Sequence, residues 1–319
     1  MMDEMEYSQH PIFSKEYTVR TTSLAKACSV GLDAVFMRKT GIVFYGLARV
    51  GKTRCAEVLQ SRLSGFMPRT YVTRIEVIKK DQSYTNNIAV QIGLAEGCEF
   101  KQSHELANVR FNRIVSTIEL KCKERNTNLW VLMLDEFQRL RVFDLHQLAD
   151  MFNMLERKRI TMTVISFAMP SVLGLRKEVR KDVDADKLIS RFMSEFIVFP
   201  GCAAKSELKL ILEALDNSVD YARSVGRSCT QSFAPYAFSN GFRLANYTMQ
   251  LWEALQSNSL GAYRNNLPLE HTFMAIGYLL RHCRQQDRLL LTLTAEEINI
   301  AVQRSNIGVF TQENGSKLP

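Results

Sequence analysis

From residue 40 onward, short apolar runs alternate with segments whose apolar residues recur at helical spacing. The runs fall at 41–45, 70–78, 129–134, 161–167 and 195–199, and each has the length and the β-branched or aromatic content of a strand. Between them, 52–64, 84–95, 105–125 and 144–157 carry the three-to-four-residue period of amphipathic helices. Strands alternating with helices predict a parallel sheet covered on its faces, joined by right-handed crossovers. The expected fold class is α/β, a three-layer αβα sandwich around a five-stranded parallel sheet.

The flanks differ. Residues 1–15 are polar and aromatic without a period and read as an extended arm. A helix is expected over 21–38, with Leu24, Ala27, Cys28, Val30, Leu32, Val35 and Phe36 on its apolar face and Lys26 and Arg38 outside it. After Pro200 and Gly201 the strand signal stops, and helical patterns follow at 204–223, 242–256, 269–284 and 294–303. This divides the chain into an arm and helix (1–39), an αβα domain (40–200), an all-helical domain (201–310) and a frayed tail (311–319). The Asn, Ser and Gly residues of 257–266 read as a loop, as does the charged stretch holding Arg176, Lys177, Arg180 and Lys181.

Composition narrows the picture. At 319 residues and 46% hydrophobic content the chain buries a substantial core, which argues against disorder. Apolar stretches such as 130–134 fall far short of the ~20 residues of a membrane span. Residues 1–15 carry acids and His10 where a secretory leader would be apolar. A soluble, intracellular, cytoplasmic protein without membrane partners is expected. Seven cysteines, at 28, 55, 98, 122, 202, 229 and 283, form no C-x-x-C pair and read as reduced, buried thiols. The histidines are scattered, His271 and His282 included, and suggest no metal site. Net charge is +8, from 41 Lys and Arg against 33 Asp and Glu, which favours a polyanionic partner or simply a solvated basic face.

The chemistry concentrates after the first strand. Gly46-Leu47-Ala48-Arg49-Val50-Gly51-Lys52-Thr53 fits G-x-x-x-x-G-K-[ST], a loop whose backbone N–H groups cradle phosphates. It follows an apolar strand and opens an amphipathic helix, the context such a loop requires. Lys52 is expected on the β and γ phosphates and Thr53 on Mg²⁺, with Arg54 on the helix start next to the nucleotide. A second element, Trp130 to Glu136, is an apolar strand ending in paired acids. At the carboxyl end of a buried strand, Asp135 suits the metal and Glu136 the base that activates water. The plain alternative for the two acids is a helix cap.

Three further residues are proposed on weaker patterns. Ser166, late in the fourth strand, is a candidate sensor of the γ phosphate or a satisfied core hydroxyl. Arg191, in Leu188-Ile189-Ser190-Arg191-Phe192, is a candidate finger reaching a neighbouring subunit, with Arg180 second and an ion pair to Asp186 as the plain reading. Arg243, after Gly241, is placed near a helix start facing the phosphates, or is a surface arginine.

In that order, the phosphate loop, Leu134-Asp135-Glu136, Ser190-Arg191-Phe192 and Gly241-Phe242-Arg243 resemble the Walker A, Walker B, arginine finger and sensor 2 of AAA+ ATPases, over residues 41–255. The helical domain would then be the C-terminal α-helical lid. Within that group, the loop sequence, residues 166–171 and the run from Ser190 to Phe199 are similar to TniB and TnsC, regulators of bacterial transposons. Two features depart from the pattern: the fourth loop position is Arg49 where many members have glycine, and no Asn or Thr clearly occupies the sensor 1 position. The resemblance implies MgATP hydrolysis, a homo-oligomeric ring or helical filament on duplex DNA, and contacts with a transposase and a target-selector protein. Lys79 and Lys80, ending the second strand, are candidate DNA contacts through phosphate, or a solvated strand end. The competing functions are a motor or remodeller, for which Tyr84 is the lone pore-loop aromatic, and a signalling or defence ATPase acting on protein partners.

Overall fold

The three inner strand-forming runs pair side by side because their β-branched, leucine and aromatic residues are buried on both faces, as a covered parallel sheet demands, while the two edge runs are only partly covered. In the computed structural model, which describes residues 10–14, 17–78, 87–100, 107–217 and 226–315, five strands form one sheet. They are β1 (Gly41–Tyr45), β2 (Tyr71–Glu76), β3 (Leu129–Asp135), β4 (Thr161–Ala168) and β5 (Glu195–Val198), in the order β2-β3-β4-β1-β5, every pair parallel. All seven residues of β3 are buried. Register sets Val43 opposite Ser166 and Leu134 opposite the same serine, so β4 separates the two strands that carry the phosphate loop and the paired acids. The fold is the expected α/β arrangement.

The chain divides into two compact units. One comprises Lys26–Gly46 and Lys52–Phe199; the other comprises Met1–Ala25, Leu47–Gly51 and Pro200–Pro319. In the sheet unit, the helices Lys52–Phe66, Ile88–Ala95, Ala107–Glu124 and Val142–Arg157 connect the strands. Arg176 and Lys177 of the charged stretch expected as a loop lie instead on the helix Val172–Val179, while Arg180 and Lys181 do fall in the turn before a further helix, Ala185–Phe192. Val172, Leu175 and Val179 are buried at three- and four-residue spacing, as are Leu188 and Phe192, while the cations between them dominate the sequence and mask the period.

The helical unit gathers Leu208, Ile211, Phe233, Leu251, Ile276 and Ile298 into its own core. Ile12 and Val19 from the amino-terminal stretch belong to that core, and Tyr17 meets Phe273 edge-on at 5.0 Å. Two boundaries shift from expectation. The helix expected from 242 begins at Thr248, after a 3-10 turn Leu244–Tyr247. Buried Asp216 accepts the N–H groups of Leu244 (3.0 Å) and Ala245 (2.9 Å), which holds that turn and delays the helix. The residues from Thr311, expected as a frayed tail, continue the helix Ile307–Gly315, anchored by buried Ile307 and Thr311. Among the described residues no helix is long and apolar enough to cross a membrane.

Candidate nucleotide site

β1 ends at Tyr45, and the N–H of Gly46 still donates to the carbonyl of Ala168 on β4 at 3.1 Å. The chain then turns sharply: Arg49 has φ 63° and Gly51 φ 97° before the helix starts at Lys52. Glycine adopts such a φ without strain, whereas arginine does so at a cost of about 1 kcal/mol. Thus Arg49 takes a left-handed conformation at the position where the resemblance expects glycine. Within the helical unit, which includes Leu47–Gly51, the Arg49 guanidinium meets the Glu270 carboxylate at 2.7 Å, and the Glu270 N–H donates to the Arg49 carbonyl at 3.2 Å. The Ala48 backbone also bonds the Tyr263 hydroxyl.

In the sheet unit the loop's last residues turn toward the acids. Lys52 is only 7% exposed, and its ammonium donates to the Gly46 carbonyl at 2.9 Å and approaches the Met169 sulfur at 3.5 Å. Burial pushes this amine down to about 8, against the opposing pull of Glu136 and Asp135. An ammonium kept charged by nearby carboxylates at the start of a helix suits an arriving polyphosphate. Although β4 intervenes, Thr53 Oγ1 donates to Asp135 Oδ2 at 2.7 Å, and Asp135 Oδ1 accepts the Glu136 N–H at 2.9 Å. A hydroxyl and a buried carboxylate side by side are the hard oxygen donors that magnesium prefers. Thr53 and Asp135 would hold it.

Glu136 has φ 58° and ψ 37°, a left-handed conformation for a residue with a Cβ. Its carboxylate accepts from Gln138 Nε2 at 2.8 Å and pairs with Arg139 at 3.1 Å. The other end of the Gln138 amide accepts the Met169 N–H at 2.9 Å, so one side chain ties the segment after β3 to the segment after β4. Neither Gln138 nor Met169 was legible as a site residue, since no hydropathy period or local motif marks them; the parallel pairing of β3 with β4 brings them together.

The remaining candidates are placed as follows. Ser166 is fully buried two residues short of the end of β4, its hydroxyl without a partner among the described residues, and it is Met169 that meets Lys52. Arg54 pairs with Glu57 at 2.8 Å, one turn along the helix. Arg191 lies on the helix Ala185–Phe192, its guanidinium 4.5 Å from the Phe152 ring centroid and donating to the Ala149 carbonyl at 3.4 Å. Arg180, the second finger candidate, is exposed. Arg243 stands with extended backbone at the start of the 3-10 turn Leu244–Tyr247, which Asp216 holds. It folds over the Phe238 ring at 3.6 Å and donates to the carbonyls of Phe238 (2.9 Å) and Phe242 (2.7 Å). Lys79, Lys80 and Tyr84 lie outside the described residues. Apart from these groups, His146 Nε2 pairs with Asp182 at 3.1 Å, with Asp184 next to it.

A buried strand, a sharply turned loop, a buried lysine and a threonine joined to an aspartate are the parts that a phosphate-binding site requires. Residues 37–175 match the AAA domain family. The match spans the loop from Gly46 to Thr53 together with Asp135, Glu136 and Ser166, and it ends before Arg191 and Arg243. No curated protein matches the chain. Among solved structures it is similar to domain III of the Thermotoga maritima replication initiation protein DnaA, at 13% identity and TM-score 0.46, covering 90% of this chain and 94% of that one. It is also similar to a protein of the Drosophila ORC structure bound to DNA, at 14% identity and TM-score 0.48, covering 84% and 62%. Cdc6p from Pyrobaculum aerophilum is similar at 13% identity and TM-score 0.43, covering 99% and 90%. Within the matched residues Thr53 is hydrogen-bonded to Asp135, and Lys52 feels the charge of Asp135 and Glu136.

Proposed function

We propose that this chain is an ATP hydrolase that uses MgATP binding and turnover to switch its assembly state. The observation that carries the reading is the Thr53–Asp135 hydrogen bond of 2.7 Å alongside a lysine only 7% exposed. In this reading the loop N–H groups and Lys52 bind the β and γ phosphates, and Lys52 offsets charge that grows on the transferred phosphoryl group. Glu136 accepts the proton of the attacking water, with Gln138 fixing the direction of its carboxylate. Magnesium on Thr53 and Asp135 supplies further neutralisation of the phosphate oxygens.

The finer reading is an AAA+ regulator of the TnsC and TniB kind. It would assemble into a ring or filament on duplex DNA and govern target selection or transposase recruitment. The motif order and the net charge of +8 support it. Arg191 serves in trans here, leaving Phe152 when a neighbouring subunit docks, and Arg243 reports nucleotide state from the helical unit.

The test is ATP turnover with and without duplex DNA, in wild type, Lys52→Ala and Glu136→Gln. Both variants lose turnover, and Glu136→Gln keeps nucleotide affinity. Slow turnover strongly stimulated by DNA supports the switch, whereas fast turnover indifferent to DNA supports a remodelling or signalling ATPase acting on proteins. Mixing Lys52→Ala with Arg191→Ala subunits restores part of the activity if Arg191 acts in trans; no rescue removes that assignment.

A further inference from the structure

The sheet unit carries a second concave site, at the opposite ends of the strands from Lys52 and Asp135. A groove of about 790 Å³ opens where the chain enters β2 and β3, and its lining includes Arg38, Arg69, Lys123, Thr70, Asn126 and Asn128. No carboxylate lines it. β3 spans seven residues, so roughly 20 Å of strand separates this groove from the paired acids.

The helices Thr22–Phe36, Lys52–Phe66, Ala107–Glu124 and Val142–Arg157 all end at this side of the sheet, each shortly before a strand begins. Helix carboxyl ends favour cations, which accounts for basic residues in the turns. It does not account for a groove without acids. Arg38 is exposed and stands in a left-handed turn with φ 53°. Its guanidinium is aimed by two uncharged partners, Thr161 Oγ1 at 2.9 Å and Asn128 Oδ1 at 2.8 Å, so its full charge is kept. Arg69 is exposed. Lys123 shares Glu119 with Lys158, two cations on one carboxylate. Arg157, which ends its helix, and Arg159, in the turn before β4, are also exposed.

Two exposed aromatic residues stand next to groove-lining residues along the chain. Phe36 is 64% exposed and Phe66 65% exposed, and they end two helices that lie against each other through Gly31 and Leu59. Phe36 stands two residues before Arg38, and Phe66 immediately before the groove residue Met67. Cations that bind phosphate without reading bases, flanked by exposed rings, are the chemistry of single-strand recognition.

We propose that this groove binds single-stranded nucleic acid, with backbone phosphates on Arg38, Arg69 and Lys123 and unstacked bases against Phe36 and Phe66. The site is separate from Lys52, Thr53 and Asp135, and its occupancy does not depend on ATP hydrolysis. The test is fluorescence anisotropy without nucleotide, using one labelled oligonucleotide as a single strand and as a duplex, across a salt series. The full chain is compared with Arg69→Glu/Lys123→Glu, with Phe36→Ser/Phe66→Ser and with Lys79→Ala/Lys80→Ala. Thermal melting and magnesium-dependent binding of an ATP analogue verify that each variant is folded.

Wild type binds the single strand more tightly than the duplex. The charge reversal raises Kd at least tenfold and flattens the salt dependence by about one and a half in log–log slope. The phenylalanine variant weakens binding severalfold with the slope unchanged. Single-strand affinity unaltered by the charge reversal, or a duplex bound as tightly as the single strand, overturns the proposal. Loss confined to the Lys79 and Lys80 variant also overturns it while leaving the DNA-dependent ATPase reading intact; absence of ATP turnover sinks that reading without touching the groove.

Discussion

Thr53 opens the helix that follows β1 and Asp135 ends β3, a strand not adjacent to β1, yet their side-chain oxygens lie 2.7 Å apart. Gly46 bonds Ala168 at the end of β4 and Lys52 reaches Met169 just beyond it, while β3 runs one residue past Leu134, the last residue in register with β4, so the first turn of the helix from Lys52 meets the aspartate. The same carboxylate helps keep Lys52 charged against its burial. Asp135→Asn preserves size and the Thr53 bond but removes the charge. It is expected to lower magnesium-dependent nucleotide affinity by about 10- to 100-fold, an effect of the order seen when groups around a bound metal are altered. Thr53→Ala acts in the same direction. Calorimetric titration with magnesium and with chelator checks this; an equal loss in both conditions would place Asp135 outside the metal site.

Gln138 is expected to be a positioning residue. It donates to Glu136 at 2.8 Å and accepts from Met169 at 2.9 Å, so it sets where the Glu136 carboxylate points. Gln138→Leu should reduce kcat by about 10- to 100-fold with KM nearly unchanged, because the contact matters only when water is attacked. Gln138→Glu places a second carboxylate against Glu136, and like charges oppose ionisation. The acid limb of the pH–rate profile should then move to higher pH. A profile that stays in place would mean that Gln138 only supports the fold.

Arg49 tests what the loop requires of its backbone. At φ 63° an alanine bears the same left-handed penalty as arginine, whereas glycine does not. The Arg49–Glu270 ion pair is half exposed, 56% on the arginine side, so it adds well under about 1 kcal/mol. Arg49→Gly should therefore be about 1 kcal/mol more stable than Arg49→Ala and close to wild type, measured by denaturant unfolding. Nucleotide affinity should follow the same order, because phosphate contacts come from the backbone. Equal stability of the two variants would show that the loop relaxes out of its left-handed turn.

These residues also show what was legible beforehand. The five strands are evident as apolar runs, and β1 is read without error because Gly41 and Gly46 punctuate it at both ends. Gly46 to Thr53, Asp135 and Glu136 are legible because the loop's chemistry is local and the acids follow directly on a buried strand. The helices Val172–Val179 and Ala185–Phe192 are hidden because charged residues fill their outer faces. Gln138, Met169 and Glu270 act through partners 31, 117 and 221 residues away, and no local pattern encodes such a partner. Asp216 is missed for the same reason: a lone acid in a helical pattern reads as surface, yet here it is 2% exposed and binds Thr230, Leu244 and Ala245. Arg243 depends on that turn, which explains why a helix start assigned from Gly241 alone is displaced.

His10 gives the helical unit an acid-sensitive joint. It is 5% exposed, its Nδ1 accepts the Ile12 N–H at 3.3 Å, and its ring meets Phe233 edge-on at 4.9 Å. Its Nε2 is enclosed without a partner among the described residues, so the ring fits the site as the neutral form, and burial pushes it from 6.5 down to about 4. Because the folded state binds the proton less tightly than the unfolded chain, stability is fully present above pH 6.5 and falls as pH drops from 6.5 toward about 4. The loss attributable to this residue should reach about 2 kcal/mol by pH 5 and on the order of 3 kcal/mol at pH 4 and below. His10→Phe keeps an aromatic ring against Phe233 and removes the titration. Denaturant unfolding at pH 7.5 and pH 5 should therefore show a smaller acid loss in His10→Phe than in wild type, by about 2 kcal/mol. Equal losses in the two proteins would mean that His10 is hydrated or already protonated in the folded state, and that the acid sensitivity of the unit resides elsewhere.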